Sequence, residues 1–190
     1  DFMLILGGNP LASNGSIMTV PDVEKRLKAI KARGGKVVVV DPRRSETAKM
    51  ADFHLAVKPG TDAWCLSALS AILVQENLVG KAWLDEHTTG YAAVEAAMTK
   101  INVAEYAKIC GVDESLLRSA ARRIASAKSV SMIEDLGVQM SLHSTLNSYL
   151  NRLVWLLTGN YAKKGANNAF APFLNLSNST RSASKNSNSG

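Results

Sequence analysis

The sequence predicts a three-layer α/β fold, a mainly parallel sheet with helices on both faces, and three observations carry that expectation. Short apolar runs alternate with helical stretches along the chain, turn residues crowd the points where the runs end, and one run, "VVVV" at residues 37–40, is unbroken. A strand with one face in water alternates apolar and polar residues. A continuous β-branched run therefore belongs to a strand covered on both faces, as strands of parallel sheets are.

Each element follows from local chemistry. "FMLIL" (residues 2–6) reads as a buried strand that meets Gly7, Gly8, Asn9 and Pro10, a cluster of turn residues. Pro21 sits where a first-turn proline is tolerated, and Val23, Leu27 and Ile30 then recur at helical spacing until Gly34 and Gly35 stop the helix. "KVVVV" completes a βαβ unit, whose two strands should run parallel. "FHLAV" (residues 53–57) is a third strand, closed by Pro59 and Gly60. Thr61 or Asp62 is expected to cap a helix running through Trp64, Leu66, Leu69, Ile72 and Leu73. From Gly80 to about Ser126 the pattern is helical, with Asn102 and Glu105 spaced as a capping box. "SVSMIEDLG" (residues 129–137) is a fourth strand, followed by a helix that puts Leu146, Tyr149, Leu150, Leu153, Leu156 and Leu157 on one face. The whole is Rossmann-like. Residues 1–174 are expected to form the domain, and residues 175–190, dominated by Ser and Asn, a disordered tail.

Composition excludes more than it assigns. At 190 residues and 46% hydrophobic, the chain can bury one substantial core. The formal charge of +6 suits an anionic ligand, but the basic residues are scattered, so no nucleic-acid partner is expected. No apolar run reaches the roughly 18 residues that a membrane span requires. Cys65 and Cys110 lie in apolar helical contexts and read as buried free thiols, and His54, His87 and His143 lack metal-ligand spacing. The chain opens at Asp1 directly ahead of a strand, which leads to the expectation that it is a piece of a longer protein.

The chemistry concentrates at the strand ends. "VVVVDPRR" delivers Asp41, Arg43 and Arg44 to one point where a buried strand stops. In open parallel sheets, ligands bind beyond the carboxyl ends of the strands. Asp41 can accept from ribose hydroxyls or a purine N–H, the arginines can pair with phosphate or stack on a base, and Gly7 and Gly8 let backbone N–H groups approach a pyrophosphate. Asp62 offers a second carboxylate at a helix start. Paired N–H donors on one edge of guanine suit a carboxylate. Plainer readings stand beside these: a solvated turn in which the arginines pair with Glu46, and a helix-capping Asp62.

"GGNP", "VVVVDPRRSETAKMADFHLAVKPGTDAWCLSAL", "EDLG" and "LLTGN", in that order, resemble the second α/β domain of the molybdopterin oxidoreductase family, the group of formate dehydrogenases, nitrate reductases and dimethyl sulfoxide reductase. The resemblance covers about residues 2–173. It implies that the chain holds one guanine dinucleotide of a molybdenum bis(molybdopterin guanine dinucleotide) cofactor. Gly7, Gly8, Asn9, Pro10 and Ser13 would approach the pyrophosphate and pterin; Asp41, Pro42, Arg43, Arg44 and Ser45 would hold ribose and guanine; Gly60, Thr61 and Asp62 would contact the guanine edge; Gly137 matches a pterin-proximal loop. Here the chain departs from many relatives, with Met140 and Ser144 where they carry glutamine and glycine, and Gln139 is the nearest substitute. The resemblance further implies a [4Fe-4S] cluster in an N-terminal part outside this chain, further domains of a parent enzyme as partners, and an electron-transfer subunit. It places no catalytic residue and no metal ligand here. Two alternatives are a nicotinamide dinucleotide-binding domain of a dehydrogenase and a non-catalytic regulatory module of the same fold.

Overall fold

A computed structural model describes residues 2–15 and 18–167, so the tail expected at residues 175–190 lies outside the described residues. Four strands, β1 (Phe2–Leu6), β2 (Lys36–Val40), β3 (Phe53–Leu55) and β4 (Val130–Glu134), form one sheet in the order β3-β2-β1-β4. Every pairing is parallel, and the register sets Leu6 level with both Val40 and Glu134. Their carboxyl ends therefore share one edge.

The unbroken run in β2 is apolar because both faces are covered. Val37 and Val39 join Met3 and Ile5 under α2 (Val23–Ala32) and Ala48 of α3 (Glu46–Met50), while Val38 and Val40 join Phe2, Leu4 and Leu6 on the opposite face. That second face carries α4 (Asp62–Gln75), α7 (Val103–Cys110), α8 (Glu114–Ser126) and α10 (Ser144–Leu157). Between them lie α5 (Lys81–His87) and α6 (Tyr91–Thr99). Leu66, Leu69, Ile72 and Leu73 of α4 are fully buried, each worth about 1.5–3 kcal/mol against an exposed state. This helix is apolar nearly all round because others enclose it.

The elements differ from expectation in four places. β3 stops at Leu55 because the Val57 N–H folds back onto the Leu55 carbonyl at 2.9 Å, which ends the ladder. β4 stops at Glu134, where Asp135 caps the short helix α9 (Leu136–Gln139) by accepting the Leu136 N–H at 2.7 Å. Pro21 precedes the N-cap of α2, which is Asp22. In α10 the buried stripe is rotated: Leu150, Leu153, Val154 and Leu157 are inside with Asn147 and Asn151, whereas Leu146 and Tyr149 are exposed. The two asparagines turn inward because each finds a polar partner there, Asn151 on Glu134 and Asn147 on Ser141. Asn102 caps α7 as expected, accepting the Glu105 N–H at 3.2 Å.

Candidate functional site

Gly7, Asp41 and Asp135 each follow the last residue of a strand at the carboxyl edge. Beside them a crevice of about 170 Å³ is lined by Gly7, Asp41, Pro42, Pro59, Gly60, Asp62 and Gly137. Four segments distant in sequence thus meet in one hollow.

Local chemistry sets each wall. Lys58, Pro59, Gly60 and Thr61 make a turn closed by the Thr61 N–H on the Lys58 carbonyl at 3.1 Å, with Pro59 second and Gly60 third at φ +79°. That is the type II pattern, whose third position calls for glycine. Thr61 occupies the N-cap of α4 without capping it; its hydroxyl donates to the Lys58 carbonyl at 2.6 Å instead. Asp62, the first residue of α4, is only 7% exposed, and no Lys or Arg pairs with it among the described residues. Burial pushes its carboxyl above the usual range; its own backbone N–H offsets part of that, and the charge of Asp41 adds to it. Asp41 accepts the Arg43 N–H at 2.7 Å, and its carbonyl accepts from His54 Nε2 at 2.8 Å.

The opposite wall is backbone on backbone. The Gly7 carbonyl accepts the Gly137 N–H at 3.0 Å. A Cβ on Gly137 would fall 2.6 Å from the Gly7 oxygen, and one on Gly7 2.6 Å from the Val138 nitrogen, so the contact admits no side chain at either position. Gly8 is equally confined, since a Cβ there would stand 2.9 Å from the Asp135 carboxylate. Two carboxylates, Asp41 and Asp62, line the crevice. The site thus favours a group rich in N–H or O–H donors over a bare anion.

The remaining residues expected at the site occupy other positions. Arg43 pairs with Glu46 at 3.5 Å, the plainer of its two readings, and Arg44 is exposed without an ion pair among the described residues. The buried Ser45 hydroxyl caps α3 by accepting the Ala48 N–H at 3.3 Å. Pro10 and Ser13 begin and end the short helix α1 (Pro10–Ser13), Pro10 buried and Ser13 exposed. The Asn9 amide is engaged with Glu46 and Thr47. Gln139 reaches no further than the Glu134 carbonyl, at 3.4 Å. Sequence reading missed Asp135, although it follows β4 as Asp41 follows β2. Cys65 and Cys110 are buried and free. Among the described residues no group of three or more His, Cys, Asp or Glu is placed to hold a metal, and no helix is long and apolar enough to cross a membrane.

A parallel sheet with a polar crevice at its carboxyl edge is the architecture in which open α/β domains take their ligands. The sequence places this one: residues 1–189 match the molybdopterin oxidoreductase family, and the chain belongs to it. It is 30% identical over 167 residues to the F420-dependent formate dehydrogenase subunit alpha of Methanocaldococcus jannaschii, covering 87% of this chain and 24% of that protein. It is 31% identical over 166 residues to formate dehydrogenase H of Escherichia coli, covering 87% and 22%. A nitrate reductase of Shewanella frigidimarina is 34% identical over 148 residues, covering 76% of this chain and 15% of that protein. The fold matches acetylene hydratase from Pelobacter acetylenicus with a TM-score of 0.76 at 24% identity, over 85% of this chain and 22% of that one. The chain thus spans about a quarter or less of these proteins. Family membership implies a molybdenum–molybdopterin cofactor and does not favour the nicotinamide or regulatory alternatives.

Proposed function

We propose that this chain is the part of a molybdopterin-dependent oxidoreductase that holds one guanine dinucleotide arm of a molybdenum bis(molybdopterin guanine dinucleotide) cofactor. The observation that carries the reading is Asp62, a buried carboxylate with no cation beside it among the described residues, facing a crevice it shares with Asp41. An uncompensated buried acid costs stability, and a base offering two N–H donors compensates it. The crevice, at about 170 Å³, is below the size of ordinary small-molecule sites, roughly 300–1,000 Å³. It suits one base, with the rest of a dinucleotide lying along the open edge.

The residues fit that group. Asp41 and Asp62 would accept from guanine, and the close contact of Gly7 with Gly137, which leaves no room for a Cβ on either, sets the opposite wall of the crevice. Arg44, exposed and without an ion pair among the described residues, is a cation available to meet phosphate. The cofactor, when bound, supplies the electron transfer; this chain's residues bind and orient it. A [4Fe-4S] cluster, an electron-transfer subunit and further domains complete the enzyme outside these residues.

Titrating the chain with GDP, ADP and NAD⁺ while following backbone amide shifts tests the reading. GDP is expected to move the amides of Gly7, Asp41, Gly60, Asp62 and Gly137 in preference to the others. Equal responses to all three, or a response confined elsewhere, contradict it.

A further inference from the structure

Asn9 belongs to the loop expected to touch the cofactor, yet its side chain is already spent. Its Oδ1 accepts from both the Thr47 hydroxyl, at 2.7 Å, and the Thr47 N–H, at 3.2 Å. Its Nδ2 donates to Glu46 Oε2 at 2.7 Å. The Thr47 hydroxyl in turn accepts the Leu11 N–H at 3.1 Å. Four hydrogen bonds thus join residues 9–11 to residues 46–47 across at least 36 positions of sequence. Thr47 is fully buried, which makes unpaired partners there costly. The ordinary role of an asparagine at this place, capping the helix that follows, is excluded, because Asn9 makes no side-chain bond to α1.

From this geometry, and resting on the reading of the crevice given above, we propose that Asn9 is a positioning residue: a latch that fixes the Gly7–Gly8 loop to the first turn of α3, without touching the ligand. Its placement explains why two loops from different strands keep one shape. β2 holds the glycine loop at its start, through the Gly7 N–H on the Val40 carbonyl at 2.9 Å, and the latch holds it at its far side. The segment after β2 ends at the same point, where Ser45 caps α3. Gly7 and Asp41 are therefore set relative to each other by the Gly7–Val40 bond on one side and by the latch on the other.

A charge-swap cycle on the full chain tests this, read by hydrogen exchange at the Leu11 and Thr47 amides and by GDP affinity. Asn9→Asp keeps the acceptor for Thr47 but sets a second carboxylate against Glu46. It should speed exchange at both amides and weaken GDP binding by up to about tenfold, as losing one hydrogen bond of a connected network does. Glu46→Gln alone should change little, because its amide oxygen still accepts from Asn9. In the double variant the new amide at position 46 donates to the new carboxylate at position 9, and both readouts should return to within about twofold of the Glu46→Gln level. A double variant as weak as Asn9→Asp would show that Asn9 contacts the ligand itself, and unchanged exchange in Asn9→Ala would show that there is no latch. If the wild-type chain does not bind GDP, the reading of the crevice fails, and exchange alone decides the latch.

Discussion

At the amino edge of the sheet, Asp52 accepts the Val37 N–H at 3.0 Å and pairs with Lys36 at 3.2 Å and Lys31 at 3.8 Å. At the carboxyl edge Asp62 is buried where Asp52 is half-buried, and no cation meets it among the described residues. The two acids shift in opposite directions. Burial alone would raise Asp52, but the Val37 N–H and the two lysines outweigh it and hold the carboxyl below the usual range, whereas burial raises Asp62 and its own backbone N–H offsets only part of that. An acid that stabilises a fold is given its partners within the fold. One left without them is the place for a partner from outside under the function proposed above.

The carboxyl edge depends on backbone contact, and breaking that contact should have the largest effect. Gly7→Ala sets a Cβ 2.6 Å from the Val138 nitrogen in a residue at φ +60°. Overpacking and left-handed strain together should cost roughly 2–5 kcal/mol, read as a drop in the urea midpoint. An unchanged midpoint would mean that the Gly7–Gly137 contact is not part of the fold's stability.

Removing Asp52 tests the other edge and should cost less. Asp52→Ala leaves the Val37 N–H without its acceptor, a loss of about 1–3 kcal/mol at neutral pH. Because the folded carboxyl lies below its unfolded value, this contribution is fully present above the unfolded value and disappears as pH falls through the folded one. The gap between wild type and variant should therefore close in strong acid. A gap constant with pH would assign the loss to packing.

The sequence made some of this plain and hid the rest for physical reasons. β1 and β2 were legible because a run such as "FMLIL" or "VVVV" has no face to show to water; Asp41 stood out because it ends such a run, and Asp62 because it follows a Pro-Gly turn at a helix start. The stripe of α10 was hidden because Leu146 and Tyr149 are as apolar as Leu150 and Leu153; only the partners at Glu134 and Ser141 show which side turns inward. The internal bonds of Asn9 were hidden because they run to residues 37 and 38 positions away, which local pattern cannot reveal. The opposite states of Asp52 and Asp62 were likewise invisible, since neither the lysines around one nor the burial of the other is a local property.

The central claim is that Asp62 is kept buried and unpaired for a ligand, at a cost to the empty fold. A thermal-shift comparison of wild type and Asp62→Asn, with and without GDP, tests it most directly. Ionised Asp62 costs stability above its raised folded pKa, and that cost is relieved as pH falls through it. At neutral pH and without ligand, Asp62→Asn should therefore melt higher than wild type, an advantage that vanishes in acid. It should also lose most of the GDP-induced rise, since a charge-assisted bond to a base is worth about 1–3 kcal/mol. An Asp62→Asn variant that melts lower than wild type while keeping the full response to GDP would contradict the account and leave Asp62 a structural residue of α4.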